Sequence, residues 1–159
     1  MIGIDRHRKE AGFTVAELIT VVVIIGILAA MAMPVARYGI RRQQEIELRQ
    51  QLRKINDAID RYADLRAAGL IVDAPSLGQG NYPKDLEELI EGVDLLDGQH
   101  VKFLRPRDLR DPMTKKDEWD TFSTTDDPES AFSDGANIYD VRSTSTRLSL
   151  DGKTRYNEW

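Results

Sequence analysis

The sequence predicts an α+β protein in which one long N-terminal helix packs on a small antiparallel β-sheet. Two observations lead to this fold class. An apolar run over Leu18–Ala36 is followed by a helical stripe of apolar residues, and four short strand-like segments with turn residues come after residue 100. A helical region followed by a run of short strands is typical of α+β domains.

The apolar run is long enough to cross a membrane. Its nineteen residues are interrupted only by Thr20, Gly26 and Pro34. At a rise of about 1.5 Å per residue it reaches about 28 Å, close to the hydrocarbon thickness of a bilayer. It lacks the polar face that a helix in a soluble core would show. We therefore expect residues 13–36 to form a transmembrane helix, bent or locally melted at Pro34, because proline removes a helical hydrogen bond.

A second apolar pattern predicts that the helix continues beyond the membrane. Its residues recur at spacings of four, three, four and three, which places them on one helical face: Leu48, Leu52, Ile55, Ile59 and Tyr62. We expect the helix to run from Phe13 to about Ala68 and to stop at Gly69. A coiled-coil seam is one interpretation of the stripe, but packing on the sheet is favoured because no second long amphipathic segment exists.

The remaining chain predicts shorter elements. Residues 72–81 are rich in proline, glycine, serine and aspartate and indicate a loop. Tyr82–Gly92 indicates a short second helix with Pro83 in its first turn. Strands are expected at Val101–Leu104, Trp119–Ser123, Ala136–Arg142 and Arg147–Leu150, with turns at Asp111-Pro112, Asp134-Gly135 and Asp151-Gly152.

Composition excludes several classes of function. The 159 residues carry a formal net charge of −5 and no cysteine. The negative charge argues against nucleic acid as a partner of the monomer. Disulfides, thiolate metal sites and cysteine nucleophiles are excluded outright. His7 and His100 form no metal-binding pair, and no phosphate-binding glycine loop is present. We expect a protein that is not an enzyme.

Glu17 at the edge of the apolar run admits three interpretations. In the first, the run is a simple signal anchor and Glu17 is the last polar residue before it. In the second, the run is a secretory signal peptide cleaved near Ala30-Met31-Ala32, although Glu17 stands where such a signal normally carries positive charge. The third interpretation depends on the residues that surround Glu17.

Gly12-Phe13-Thr14-Val15-Ala16-Glu17-Leu18 resembles the processing site of type IV pilins and pseudopilins. The resemblance implies that residues 1–12 are a leader, cut after Gly12 by the prepilin peptidase, and that Phe13 is then N-methylated. It implies a pilin-like fold, with residues 13–36 in the bacterial inner membrane as a single pass and in the filament core. Residues 37–159, including the second half of the long helix, would form the periplasmic domain.

Electrostatics gives Glu17 a role within this resemblance. Cleavage would leave a cationic amine on Phe13, about one helical turn from the carboxylate. Each charge is costly alone in a low-dielectric bundle and tolerable when paired. An amine on one subunit that meets Glu17 of its neighbour would favour one axial register. We therefore expect Phe13 and Glu17 to direct assembly into a homo-oligomeric filament.

Further motifs resemble the major pseudopilins of type II secretion (general secretion pathway protein G): Tyr82-Pro83, Asp111-Pro112, Ile138-Tyr139-Asp140-Val141 and Trp159. This resemblance implies a pseudopilus that drives export of folded proteins across the outer membrane. Its partners would be an inner-membrane assembly platform and minor pseudopilins. Two alternatives stay open: a type IV pilin of a surface filament for adhesion, motility or DNA uptake, and a secreted binding domain released by signal peptidase.

The same resemblance implies calcium in the loop after the Tyr-Asp strand. Ser143 and Asp151 are the side chains that could match the ligands. Calcium takes six to eight oxygen ligands with carboxylates among them, and residues 142–151 offer few. Asp151-Gly152 as an ordinary turn is the competing interpretation. No other cofactor is predicted.

Overall fold

The computed structural model describes residues 13–72, 80–126, 133 and 135–159. The chain divides into two compact units, residues 1–40 and residues 41–159. The elements are α1 (Val15–Ala67), α2 (Leu86–Glu91), β1 (Val93–Asp94), β2 (His100–Val101), β3 (Trp119–Phe122) and β4 (Asp140–Ser143), with 3-10 helices at Pro106–Leu109 and Tyr156–Glu158. The predicted α+β class, with a long N-terminal helix and small antiparallel sheets, is confirmed.

The described part of the first unit is the N-terminal segment of α1. Every described residue in it, 13–40, is exposed. The helix is long and apolar enough to cross a membrane, and none of its most apolar stretch is buried in the protein. Helical structure continues through Pro34, so local melting there is absent, and the predicted bend stays a prediction.

The second unit folds around the apolar stripe of α1. All five residues predicted from the spacing are buried, and Ala58 joins them. They form one core cluster with residues from α2, the loops and β4, among them Leu89, Leu104 and Val141. Removal of this apolar surface from water is the main force that holds the unit together.

The single predicted sheet is two separate antiparallel pairs. In the first pair, Val93 lies opposite Val101 and Asp94 opposite His100. In the second, β3 pairs with β4 from Trp119 opposite Ser143 to Phe122 opposite Asp140. The strand predicted at Trp119–Ser123 is confirmed to within one residue.

The other three strand predictions are wrong in extent. Only the first residue of Val101–Leu104 is in a strand, because the Phe103 and Leu104 amides both donate to the Leu89 carbonyl at the end of α2. The segment Ala136–Arg142 becomes a strand only from Asp140, since the Ile138 amide donates to the Pro83 carbonyl. Arg147–Leu150 forms just an isolated bridge between Leu148 and Arg155.

Helix α2 is shorter than predicted. Asp85 is its N-cap and accepts a hydrogen bond from the Glu88 amide at 2.9 Å, so Pro83 lies before the helix instead of in its first turn. Gly92 ends it as expected, with φ of 88°, and a Cβ there would overlap the carbonyl oxygen of Val101. Among the predicted loops and turns, most of 72–81 and Asp134 lie outside the described residues.

The predicted end of α1 is confirmed. The helix stops at Ala67, one residue before the expected Ala68. Gly69 follows with φ of 68°, a left-handed conformation that glycine adopts without steric cost.

Candidate functional site

The N-terminus of α1 begins with a capping residue that the sequence analysis missed. Thr14 precedes the first helical residue, and its Oγ1 accepts a hydrogen bond from the Glu17 amide at 3.2 Å. The spacing Thr14-x-x-Glu17 is that of a capping box, in which a threonine at the N-cap is followed three residues later by glutamate. This spacing is the signal in the sequence from which the cap could have been predicted. Thr14 therefore fixes where the helix starts and places Glu17 in its first turn.

Glu17 presents its carboxylate on an apolar surface. It is exposed, and its carboxylate forms no ion pair or hydrogen bond with any other described residue. The next polar side chain, Thr20, is satisfied within the helix because its hydroxyl donates to the Ala16 carbonyl at 2.8 Å. Glu17 is thus the group in this turn that is available to a partner.

Phe13 lies directly before the helix and is 76% exposed. Gly12 and the leader 1–12 lie outside the described residues, so cleavage and methylation at Gly12–Phe13 stay predictions. The structure does place Phe13 one residue before the Thr14 cap. A new N-terminus at Phe13 would leave the capping hydrogen bond of the helix intact.

The two side chains predicted for calcium have other partners. Ser143 is fully buried, and its hydroxyl donates to Asp111 at 2.7 Å. Asp151 is exposed and accepts hydrogen bonds from the Ser149 hydroxyl and the Lys153 amide, the latter at 2.9 Å. These bonds lower the pKa of Asp151, the Ser149 hydroxyl being the larger cause. The geometry supports the turn interpretation for Asp151, and calcium binding stays a prediction.

Asp111 is a buried carboxylate with a structural role. It is completely inaccessible; its Oδ2 accepts from Ser143 and its Oδ1 accepts from the Met113 amide at 2.7 Å. The Lys115 amide donates to its carbonyl, closing a turn. This cluster joins the 111–116 loop to β4. The described residues hold no group of three or more histidine, cysteine, aspartate or glutamate side chains that could bind a metal ion.

His100 lies at the start of β2 in a hydrogen-bonded position. Its Nδ1 is 2.7 Å from the Asp94 carboxylate, and its Nε2 is 2.8 Å from the Glu91 carbonyl oxygen. Both contacts raise the pKa of His100, the Asp94 carboxylate being the larger cause. The Asp94 carboxylate and the Glu91 carbonyl are both acceptors, so protonated His100 donates a hydrogen bond to each from its two ring nitrogens. The side chain joins α2 to the first strand pair.

Comparison with protein families matches residues 7–33 to the prokaryotic N-terminal methylation motif. This motif is typical of type IV pilins and pseudopilins. It covers Gly12, Phe13, Thr14 and Glu17 and most of the apolar helix. No curated protein and no solved structure matched the chain.

The motif and the exposed apolar helix are together typical of one class of protein. They support a type IV pilin-like or pseudopilin precursor, a class whose members are structural subunits rather than enzymes. The motif implies processing by prepilin peptidase and assembly into a filament. An apolar helix near the N-terminus is what membrane anchoring of such a precursor requires.

Proposed function

We propose that this chain is the precursor of a pseudopilus subunit of type II secretion. In this proposal, prepilin peptidase cuts after Gly12 and Phe13 is N-methylated. Residues 13–36 hold the subunit in the bacterial inner membrane, with 37–159 in the periplasm. An assembly platform then polymerises it with minor pseudopilins, and the growing filament drives folded proteins across the outer membrane.

One observation carries the proposal. The methylation motif coincides with a capped apolar helical segment that is exposed over residues 13–40, and the Glu17 carboxylate in its first turn has no partner among the described residues. A lone carboxylate in apolar surroundings is costly, and a cation from a second chain offsets part of that cost. The amine created on Phe13 supplies such a cation. Filament assembly therefore accounts for both the cleavage site and the charge.

The contacts between the looser motifs support the pseudopilin assignment. Tyr82-Pro83 and Ile138-Tyr139 are far apart in sequence but adjacent in the second unit: the Ile138 amide donates to the Pro83 carbonyl at 2.8 Å, and the Tyr82 and Tyr139 rings meet edge to face at 5.1 Å. Four of the residues that carry the closer resemblance thus form one packed feature.

Replacement of Glu17 tests the function. In a strain lacking the native gene, Glu17→Ala should leave leader cleavage largely intact. It should strongly reduce filament yield and the secretion of exoproteins into the medium, because the Phe13 amine loses its partner. Electron microscopy and assay of the medium measure these two quantities. Glu47→Ala, which alters an exposed glutamate further along α1, is the matched control and should assemble normally.

The same strains separate the two filament classes. If wild-type chain restores surface pili and not exoprotein release, the chain is a type IV pilin subunit. If Glu17→Ala gives normal filament yield, Glu17 has no role in docking.

A further inference from the structure

The second unit contains a groove with one apolar and one cationic side. It has a volume of about 650 Å³ and lies beside α1, α2 and the segment that follows β2. Its apolar side is formed by Ile90, Phe103 and Leu104. Phe103 is held in place by an edge-to-face contact with Tyr62, 5.7 Å between ring centroids. This side of the groove suits an aliphatic side chain.

The cationic side of the groove is formed by Lys54, Lys102 and Arg105. Lys54 is paired with the nearly buried Asp108 at 2.8 Å. Lys102 and Arg105 are exposed, and neither forms an ion pair with any other described residue. The groove therefore has positive charge that no ion pair within the described part of the chain compensates. An occupant that presents a carboxylate next to an aliphatic side chain would satisfy both sides.

The turn between β1 and β2 has these two features. Leu96 is 67% exposed, more than any other large apolar side chain described in the second unit. Asp97 follows it and is also exposed. The segment from Asp85 to Asp97 holds six acidic residues and no lysine or arginine. An exposed leucine beside aspartate in an acidic segment complements an apolar groove with a cationic rim.

The backbone of this turn is fixed by hydrogen bonds. The Leu96 amide donates to the Leu70 carbonyl at 2.9 Å, and the Gly98 amide donates to the Leu95 carbonyl at 2.9 Å. The Asp97 carboxylate accepts from the Gln99 amide at 2.9 Å. Little conformational entropy is lost when a fixed turn docks, which favours binding.

We propose that Leu96 and Asp97 of one copy dock in the groove of a neighbouring copy, with Leu96 against Ile90 and Phe103 and Asp97 against Lys102 and Arg105. The proposal rests on the filament function proposed above and names a second contact between its subunits, outside the apolar helices. Turn and groove are different surfaces, so the contact is head-to-tail. A repeated head-to-tail contact builds an open helical filament when its rotation does not close into a ring, and the proposed filament function requires the open form.

Cysteine cross-linking tests the contact, since the chain has no cysteine of its own. One full-length copy would carry Leu96→Cys and a second would carry Lys102→Cys, each with a different epitope tag. Both copies would be expressed together in the strain that lacks the native gene. Neither copy can then form an internal disulfide. Oxidation should give a disulfide-linked heterodimer that carries both tags. Arg105→Cys gives a second groove position in case Lys102→Cys does not assemble.

The matched control pairs Leu96→Cys with Lys153→Cys, an exposed residue that does not line the groove. It should give no heterodimer above background. If filaments form and the groove pairs cross-link no better than this control, the docking proposal is wrong while the filament function stands. If the wild-type chain forms no filament in this strain, the proposed function fails and the docking proposal fails with it.

Discussion

At the residue scale, Glu17 is understood from its neighbours. Thr14 caps the helix through the Glu17 amide, which fixes the position of the carboxylate in the first turn. A carboxylate there also interacts favourably with the partial positive charge of the helix N-terminus. The backbone of Glu17 thus serves its own helix, and its side chain has no partner among the described residues.

His100 gives a prediction about pH. Its folded-state pKa lies above the ordinary value of about 6.5, so its contribution to stability is complete below that pH and is lost as pH rises through the raised pKa. The melting temperature of the full-length chain in detergent should exceed that of His100→Gln most at about pH 5.5, and the gap should narrow towards about pH 8.5. A difference in melting temperature of equal size at both pH values would contradict the stabilising role of protonated His100.

At the element scale, Asp111 explains how the 111–116 loop is held against β4. Asp111→Ala removes the acceptor of the Ser143 hydroxyl and of the Met113 amide. Hydrogen bonds to charged groups contribute about 1.5–3 kcal/mol, and their buried donors would be left unpaired. We expect a loss of about 2–3 kcal/mol in the free energy of unfolding, measured by urea titration of the full-length chain in detergent.

The control for this prediction is Asp117→Ala, which alters an exposed aspartate of the same region. It should change the free energy of unfolding by less than about 0.5 kcal/mol. Equal effects of the two substitutions would show that the buried cluster does not support the loop.

Periodicity predicted the helical elements better than the strands. The spacing of the α1 stripe is a local property, and each of its five residues is buried as expected. Composition indicates the strand segments but does not identify the partners of their backbone hydrogen bonds. Leu104 and Ile138 bond to Leu89 and Pro83 instead of to a neighbouring strand. Such long-range pairing cannot be derived from either segment alone.

The sequence likewise predicts the candidate site only in part. Glu17 and Phe13 follow from a short motif and lie exposed at the start of α1. The resemblance to the major pseudopilins implies Ser143 as a calcium ligand, but its hydroxyl is buried against Asp111. That partner lies on a distant loop, and no local pattern indicates it.

At the scale of the whole molecule, the two units have different surfaces. The described residues of the first unit are exposed and mostly apolar, whereas the second unit encloses its own core. A chain of this kind needs lipid or other copies of itself around the first unit. The methylation motif at residues 7–33 is typical of proteins that meet both environments, lipid before assembly and other copies in the filament.

The N-terminus of the mature chain tests this account most directly. Mass spectrometry of the protein captured from both the membranes and the soluble fractions of its host should find a chain that begins at a methylated Phe13 and retains the apolar helix. A mature chain that begins at Met33 would have lost Glu17 and most of the helix surface. That result would contradict the filament role.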